Sequence, residues 1–343
     1  MADGLRNMPD NSIGGGDEIH PWNGPLFILG APRSGTKLLR DLINQSNQVS
    51  IPIHESYFIP FLLNKYRDNP LTQNDILSIS NFIKSTDFFL KHELEDSPLD
   101  ISMLNSAVGE KISLVIQLVM LESSQSTIQP SETIWGDKTP FMEFNIRILH
   151  EFFPGARFLH IVRDPRDVAT SHRKFRKYKH ILRTADQWNQ SIEAARIAQL
   201  SHTFPYLLIK YEDLVKNTED VMGTICVFLG IEFSILMLRP NRITEYTGSA
   251  KGMNRVLSNN VGGHRKALNN SEIRRLESIA FHGMEAMGYD KTTDAKPKGI
   301  GGMRRFLMRM YDYFSEAALC LRTHGVVRGS KIILSKYKNR QTN

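Results

Sequence analysis

A short stretch of small and charged residues, GAPRSGTK at positions 30–37, combines the residue types that bind anions. It follows an apolar run at 26–29 and precedes a leucine pattern with helical spacing. Backbone N–H groups at the start of a helix are unpaired, and the helix dipole adds positive charge there. Arg33 contributes a full charge, and Ser34 and Thr36 contribute hydroxyl donors. We therefore expect this loop to bind a phosphate-like group.

The loop differs from that of nucleoside triphosphatases, G-x-x-x-x-G-K-[ST]. Gly35 is followed by Thr36 and then Lys37, so the required Lys-Ser/Thr order is absent. A kinase of that type therefore remains only as an alternative. The structural alternative is an ordinary strand-to-helix turn with an arginine on the surface.

A second basic cluster, RDPRDVATS, follows the apolar run at 158–162. Arg163 and Ser171 lie eight residues apart, so a helix begun at Asp164 would let both contact one anion. The alternative is a solvated start of a helix. Two anion sites at successive strand ends predict a ligand with two separated phosphate groups, such as a bisphosphorylated nucleotide at the carboxyl edge of a sheet.

Short apolar segments alternate with helical patterns along the chain. We expect strands at 26–29, within 46–60, at 158–162 and at 205–214. We expect helices across much of 60–130, after Pro140, and at 184–202, 217–229 and 271–287. This alternation predicts parallel strand pairing with right-handed crossovers. The expected fold class is an α/β/α sandwich with a central parallel sheet.

Composition and charge narrow the class of protein. The chain has 343 residues and only two cysteines, and its apolar runs are shorter than the roughly 20 residues that span a bilayer. We expect a cytoplasmic protein with a disordered leader at 1–24. Nine of the 43 basic and two of the 36 acidic residues lie at 304–343, so the remainder has 34 of each. Residues 1–303 have no net charge. We therefore expect no binding of nucleic acid.

The basic tail has an apolar stripe with helical spacing, formed by Phe306, Leu307, Met310, Phe314, Ala317 and Leu321. Arg304, Arg305 and Arg309 lie off this stripe. A basic amphipathic helix is typical of peripheral contact with an anionic membrane. The alternative is a helix packed on the body of the protein or on a second copy in a homodimer.

Several segments together resemble sulfotransferases that use 3′-phosphoadenosine 5′-phosphosulfate (PAPS). They are APRSGTKLL, IVRDPRDVATS, WGDKTP, the WNxxI helix starting at Trp188, YEDL at 211–214 and FLGI at 228–231. Their order and spacing match from about residue 25 to 290, with a layout closest to tyrosylprotein sulfotransferases and their bacterial relatives. The resemblance implies a sulfotransferase domain at 25–290 and a basic C-terminal extension at 291–343.

The resemblance also implies donor-binding roles. Arg33, Ser34, Gly35 and Thr36 would bind the 5′-phosphosulfate, with Arg33 neutralising the leaving oxygen. Arg163 and Ser171 would bind the 3′-phosphate, Tyr211 would lie near the adenosine, and Arg265 or Lys266 would close over the phosphates. A buried core role for Tyr211 and a solvated basic turn for Arg265 and Lys266 remain alternatives. Lys37 replaces the family's second threonine, so its ammonium either substitutes for that hydroxyl or leaves the loop weaker.

For the reacting centre, the resemblance implies Glu55 as general base and Lys138 as the cation that stabilises the transferring group. His54 is the competing base, since histidine is the commonest one. A salt bridge between Lys138 and Asp137 is the structural alternative. The implied reaction is in-line transfer of a sulfuryl group from PAPS to a hydroxyl of a peptide tyrosine, sugar, lipid or small molecule, without a metal. A catalytically silent anion-binding scaffold of the same fold is the alternative from another class.

Overall fold

The structure, a computed structural model, describes residues 22, 24–67, 69–94, 99–124, 133–175, 180–201, 203–240, 255–257 and 260–341. Apart from Trp22 and Gly24, the leader predicted at 1–24 lies outside the described residues.

A parallel sheet forms the centre of the described chain. Its strands are β1 (Leu26–Leu29), β2 (Val49–Ser50), β3 (Ile134–Asp137), β4 (Arg157–Val162) and β5 (Tyr206–Lys210). They lie in the order β2-β3-β1-β4-β5, and each adjacent pair is parallel. The carboxyl ends of β1, β3 and β4 therefore meet at one edge, where loops in such sheets bind ligands. The predicted α/β fold class is confirmed.

Helices pack on both faces of the sheet. In chain order they are α1 (Thr36–Ile43), α2 (Ile59–Lys65), α3 (Gln73–Lys84), α4 (Asp87–Leu94), α5 (Ile112–Ser123), α6 (Ile146–Phe152), α7 (Pro165–Phe175), α8 (Ile181–Ser201), α9 (Tyr211–Lys216), α10 (Thr218–Leu229), α11 (His264–Ala267), α12 (Asn270–Ile279), α13 (Phe281–Ala286) and α14 (Gly302–Gln341). Alternate residues of β1 face opposite layers of helices. Phe27 and Leu29 pack in the core beside α2, α5 and α6. Leu26 and Ile28 pack on the other face, beside α1, α9 and α10.

Three elements differ from the sequence prediction. The strand predicted at 205–214 ends at Lys210, and helix α9 begins at Tyr211. Strand β3 was not predicted, because its sequence IWGD contains a glycine and an aspartate and shows no alternation. The single helix predicted at 271–287 is broken into α12 and α13 at Ala280. The backbone N–H of Gly283 donates to Asn189 Oδ1 at 2.8 Å, so it does not continue the helical bonding pattern.

The C-terminal helix α14 contacts the body through a face that the apolar pattern did not predict. Arg305 forms a two-point ion pair with Asp186 of α8, and Asp312 pairs with Arg183. Met308 is buried between these two contacts. The predicted apolar stripe lies on the opposite side, where Phe306 and Phe314 are 55% and 61% exposed. Within the described ranges, none of the helices combines the length and apolar character needed to cross a bilayer.

Candidate active site

The loop between β1 and α1 has a backbone that requires glycine at two positions. Gly30 and Gly35 have φ values of 144° and 104°, in a region that other residues rarely adopt. A Cβ at Gly30 would lie 2.5 Å from the carbonyl oxygen of Ile161, and one at Gly35 would lie 2.5 Å from Cδ2 of Tyr211. Arg33 also has a positive φ, 76°, which is uncommon for a residue with a side chain. The loop is therefore tightly curled against β4 and the start of α9.

This loop contains hydrogen-bond donors that have no acceptor among the described residues. The hydroxyl of Ser34 is fully buried, and it has no hydrogen-bond partner among the described residues. The N-terminus of α1 is not capped by a side chain, since Gly35 occupies the N-cap position. A buried donor without a partner costs free energy, and an anion bound on the loop would remove this cost. The unpaired hydroxyl and the uncapped helix start are the donors that a phosphate-like group would require.

The buried carboxylate of Glu143 hydrogen-bonds the first residue of the loop. The N–H of Gly30 donates to Glu143 Oε2 at 3.3 Å, and Ser191 of α8 hydrogen-bonds the other oxygen of this carboxylate. Complete burial raises the pKa of Glu143 from 4.5 to about 6, although both hydrogen bonds act to lower it. No motif marks Glu143 in the sequence, because it lies in an apolar segment.

The second predicted anion site directly adjoins the loop. Arg33 Nε donates to Ser171 Oγ at 3.0 Å, and Arg163 Nη1 donates to the backbone oxygen of Arg33 at 3.2 Å. The guanidinium of Arg163 lies 4.4 Å above the ring of Tyr211, which is itself buried against Gly35. Arg163 Nε is buried and unpaired within the described residues. The structure thus brings together Arg33, Arg163, Ser171 and Tyr211, and Tyr211 also belongs to the core.

The other arginines of this segment are engaged in structural contacts. Arg166 is buried between Asp164 and Glu277, each at 2.6 Å. Arg173 pairs with Glu272 at 2.8 Å and donates to the backbone oxygen of Ala267. These contacts join α7 to α12, so neither arginine is available as a ligand in this conformation.

The basic turn at 260–267 is anchored to α7 by Asp167. Asp167 accepts from the N–H of Gly262 at 2.7 Å, from the N–H of His264 at 2.8 Å and contacts His264 Nδ1 at 2.8 Å. Burial alone would raise the pKa of Asp167, but these hydrogen bonds and the charge of Arg163 lower it overall. Arg265 and Lys266 are both exposed on this turn.

The same turn also reaches the second anion site. Arg163 Nη2 donates to the backbone oxygen of Asn260 at 2.5 Å. Asp167 was not among the predicted site residues. An acidic residue in the first turn of a helix is already explained by its favourable interaction with the helix dipole. Its contacts with the turn appear only in the fold.

Glu55 and Lys138 form an ion pair beyond the carboxyl end of β3. Lys138 Nζ lies 2.9 Å from Glu55 Oε1, and Tyr57 donates to Glu55 Oε2 at 3.2 Å. The side chain of Lys138 is 1% exposed and that of Glu55 is 26% exposed. Burial acts to raise the pKa of Glu55, but Lys138 and the more distant Lys37 and Lys91 lower it overall. Glu55 is therefore a carboxylate at neutral pH.

The structure pairs Lys138 with Glu55 rather than with Asp137, its neighbour in the chain. Asp137 instead accepts from Ser56 and from Thr139 Oγ1, the latter at 2.9 Å. Burial lowers the pKa of Lys138, and the positive charges of Arg40 and Lys37 lower it further. The negative charge of Glu55 offsets part of this shift. The charge of the exposed Lys37 lowers the pKa of both members of the ion pair.

His54, the competing base, lies in an aromatic environment. Its ring contacts that of His92 edge-on at 4.6 Å, and His92 in turn contacts Phe88 at 5.1 Å. Burial, followed by the charge of His54, lowers the pKa of His92 to about 4. Both histidine side chains are buried, whereas Glu55 is partly open to solvent. Glu55 is thus the better placed of the two to meet an incoming molecule.

Comparison with known proteins identifies related sequences and folds. A model described as the sulfotransferase family matches residues 25–234. The chain is 26% identical over 237 residues to protein-tyrosine sulfotransferase 1 of Danio rerio. That alignment covers 66% of this chain, and the chain spans only 58% of the length of this relative.

Two solved structures share the fold. A sulfotransferase domain from the curacin biosynthetic pathway is 20% identical, with a TM-score of 0.52, covering 79% of this chain and 99% of its own. The sulfotransferase domain of the Synechococcus PCC 7002 olefin synthase is 22% identical, with a TM-score of 0.57, covering 80% of this chain and 98% of its own. The family model extends over more than half of the sequence, from β1 to beyond α10, and the protein therefore belongs to the sulfotransferase family.

Proposed function

We propose that the protein transfers a sulfuryl group from PAPS to a hydroxyl of an acceptor, with Glu55 as the general base. The observation that carries this proposal is the Glu55–Lys138 ion pair at the same sheet edge as the anion-binding loop. Family membership overturns the alternative of a kinase. It leaves a catalytically silent scaffold as the remaining alternative.

The chemistry of the loop supports a donor with two phosphate groups. Ser34 and Arg163 each have a buried donor atom without a partner in the described part of the chain, and the two lie in the two predicted anion sites. Arg33 links these sites through its contact with Ser171. A 3′-phosphate and a 5′-phosphosulfate on one nucleoside would satisfy both groups of donors.

The donor supplies a sulfuryl group attached to a phosphate that leaves. The acceptor oxygen forms its bond to sulfur as the bond between sulfur and the 5′-phosphate oxygen breaks, and the electron pair of that bond stays with the phosphate. Glu55 accepts the proton of the acceptor hydroxyl. Lys138 and Arg33 provide positive charge where negative charge develops.

The ion pair of Glu55 with Lys138 suits a base that is freed when the donor binds. Its lowered pKa keeps it ionised at neutral pH, and its ion pair with Lys138 holds the carboxylate in one orientation. A sulfuryl group at this position would compete for the ammonium of Lys138. The loss of this contact would raise the basicity of Glu55 as the reaction begins.

The test is a transfer assay with labelled PAPS, without added magnesium, against a panel comprising a tyrosine peptide, a sugar, a lipid alcohol and a phenol. Peptide tyrosine belongs in the panel because the Danio rerio relative is named for it. We expect Glu55→Gln to reduce the rate by about 10²- to 10⁴-fold while donor binding is retained. Glu219→Gln, at an exposed position on α10, is the matched control and should leave the rate unchanged. Full activity of Glu55→Gln would contradict the role of Glu55.

The outward face of α14 supports peripheral contact with an anionic membrane. Met303, Phe306, Leu307, Tyr311 and Phe314 are exposed on one side of this helix. The basic side chains of Arg304 and Arg309 are also exposed and flank this apolar face. The same charges would repel one another if two copies of the face came together, so an anionic lipid surface fits this face better than a second copy does.

Vesicle sedimentation with neutral and with phosphatidylserine-containing lipids tests this contact. The protein should bind only the anionic vesicles, and replacing Phe306 and Phe314 by Glu should abolish binding. Leu200→Glu, at a 75% exposed position on α8, is the control. Equal binding of the Phe306→Glu, Phe314→Glu variant, or a dimer in light scattering that this variant disrupts, would argue against the membrane contact.

A further inference from the structure

A cavity of about 520 Å³ adjoins the reacting centre. Its wall includes Thr139, which follows Lys138 in the chain, and Tyr57, which hydrogen-bonds Glu55. A volume of this size fits a small organic molecule. If Glu55 is the base of the proposed reaction, this cavity is where the acceptor hydroxyl approaches it.

The lining of the cavity has no charge. None of the twelve described residues that form it is acidic or basic. A charged acceptor group would therefore lose hydration here without gaining an ionic partner. The cavity instead favours an uncharged acceptor.

One part of the wall is aromatic. It consists of Tyr57, Phe61, Phe141 and Phe144. The rings of Phe141 and Phe144 are 5.9 Å apart, and Phe144 is 50% exposed. Phe141 has a φ of 67°, which is unusual for a bulky residue. Strained backbone of this kind is typical of binding sites that hold a side chain in a fixed position.

The rest of the wall contains side-chain amides. These are Asn64, Asn145, Gln187 and Gln190. Asn64 and Gln190 use their N–H₂ groups on the protein itself, donating to Pro60 O and Asp186 Oδ2. The buried Oε1 of Gln187 has no hydrogen-bond partner within the described ranges. An occupant that donates several hydrogen bonds would pair with the side-chain oxygens of Asn64 and Gln190, whose N–H₂ groups are already engaged.

We propose that the acceptor is an uncharged sugar, bound with a C–H face against the aromatic rings and its hydroxyls toward the amides. This proposal rests on the proposed function. A simple phenol matches the aromatic wall, but its single hydroxyl would leave most of the amide oxygens of the wall without a donor. A uronic acid matches the amides but would bring a negative charge into an uncharged cavity. A neutral polyhydroxylated ring matches both parts of the wall, and the tyrosine peptide, which also offers a ring and N–H donors, is its main competitor in the test.

The experiment uses the full chain saturated with 3′-phosphoadenosine 5′-phosphate. Binding of neutral methyl hexopyranosides is measured by saturation-transfer NMR, beside methyl glucuronide, 4-nitrophenol and a short tyrosine peptide. The same panel is then incubated with PAPS, and products are identified by mass spectrometry. We expect at least one neutral hexoside to bind more tightly than the other three compounds and to be sulfated.

Two variants and one control test the wall directly. Gln187→Leu and Phe144→Ala should each weaken hexoside binding by about tenfold, while binding of the bisphosphate stays unchanged. Gln199→Leu lies on the exposed side of the same helix α8 and should change neither.

Three outcomes would contradict the proposal. They are tighter binding of the glucuronide, phenol or peptide, absence of binding by every hexoside to bisphosphate-loaded protein, and unchanged hexoside binding in both cavity variants. In each of these cases the proposed function survives, because the donor site is intact. Failure of the unaltered protein to bind the bisphosphate would instead overturn the proposed function.

Discussion

Replacing Glu143 by glutamine should stabilise the protein at neutral pH and not in acid. Glu143 is completely buried under the anion-binding loop, where it accepts hydrogen bonds from Gly30 and Ser191. Glutamine can still accept from Gly30 through its amide oxygen, and its N–H₂ can donate to the hydroxyl oxygen of Ser191, so both contacts persist without a charge. The substitution therefore removes the cost of burying a carboxylate while retaining the shape of the side chain.

The magnitude follows from the pKa of this group. Burial raises the pKa of Glu143 from 4.5 to about 6. Each pKa unit corresponds to about 1.4 kcal/mol, so ionised Glu143 destabilises the folded state by about 2 kcal/mol. This value is a large fraction of the usual net stability of a domain.

The sign depends on which state loses its proton first. Below pH 4.5, Glu143 is protonated in both the folded and the unfolded chain, so it contributes no difference. As pH rises from 4.5 to about 6, the unfolded chain releases the proton first, and the parent protein loses stability. Above pH 6 the full deficit is present. The advantage of Glu143→Gln should therefore appear between pH 4.5 and 6 and then remain constant.

Urea unfolding across pH 4.5–7.5, followed by circular dichroism, measures this effect. The free energy of unfolding of Glu143→Gln, minus that of the parent, should increase by about 2 kcal/mol over this range. Glu219→Gln, at an exposed position, should show a constant difference. A constant difference for Glu143→Gln as well would refute the reasoning, because it would mean that Glu143 titrates normally in the folded protein.

The two remaining predictions concern the anion-binding loop and the basic turn. Gly35→Ala should destabilise the protein by about 1–3 kcal/mol and weaken bisphosphate binding, because its φ is 104° and its Cβ would meet Tyr211. Gly223→Ala, in α10 with open space around it, should be neutral or slightly stabilising, and equal denaturation midpoints for the two variants would contradict this. Asp167→Asn should weaken bisphosphate binding by about tenfold and expose the turn at 260–267 to proteolysis, since it removes an acceptor from Gly262 or His264. Unchanged affinity and protease resistance would show that the turn does not depend on Asp167.

The alternation of short apolar strands and helices was sufficient to predict the fold class. Strands β1 and β4 each have an apolar core and are followed by a turn with a clear helix start, whereas the apolar core of β5 leads directly into α9. Strand β3 was missed because Gly136 and Asp137 occupy half of it. Gly136 is required there, since a Cβ would lie 2.3 Å from the backbone oxygen of Leu26 on the neighbouring strand. This close approach exists only once the sheet has formed.

The sequence pattern marked Arg33 and Arg163 because each lies just after a strand end, and the structure places them beside Ser171 and Tyr211. The same pattern did not identify Glu143 and Asp167, whose contacts with Gly30 and Gly262 join segments more than 90 residues apart. Hydrogen bonds of this kind leave no local pattern in a sequence.

Packing of α14 on the body, one of the alternatives for this helix, occurs through a face other than its apolar stripe. The apolar stripe was the natural choice for the buried side, since burial of apolar area is the dominant favourable term in packing. The observed contacts are instead the ion pairs of Arg305 and Asp312 with α8. Their partners, Asp186 and Arg183, lie far from the tail in sequence, so periodicity alone did not reveal them.

Calorimetric titration with 3′-phosphoadenosine 5′-phosphate, without magnesium, tests the central claim most directly. The bisphosphate should bind tightly to the unaltered protein, and both Arg33→Ala and Arg163→Ala should weaken binding by at least about tenfold. ATP, which lacks the 3′-phosphate, should bind more weakly than the bisphosphate. Absence of bisphosphate binding, or tighter binding of ATP, would contradict the assignment of this sheet edge as the PAPS site.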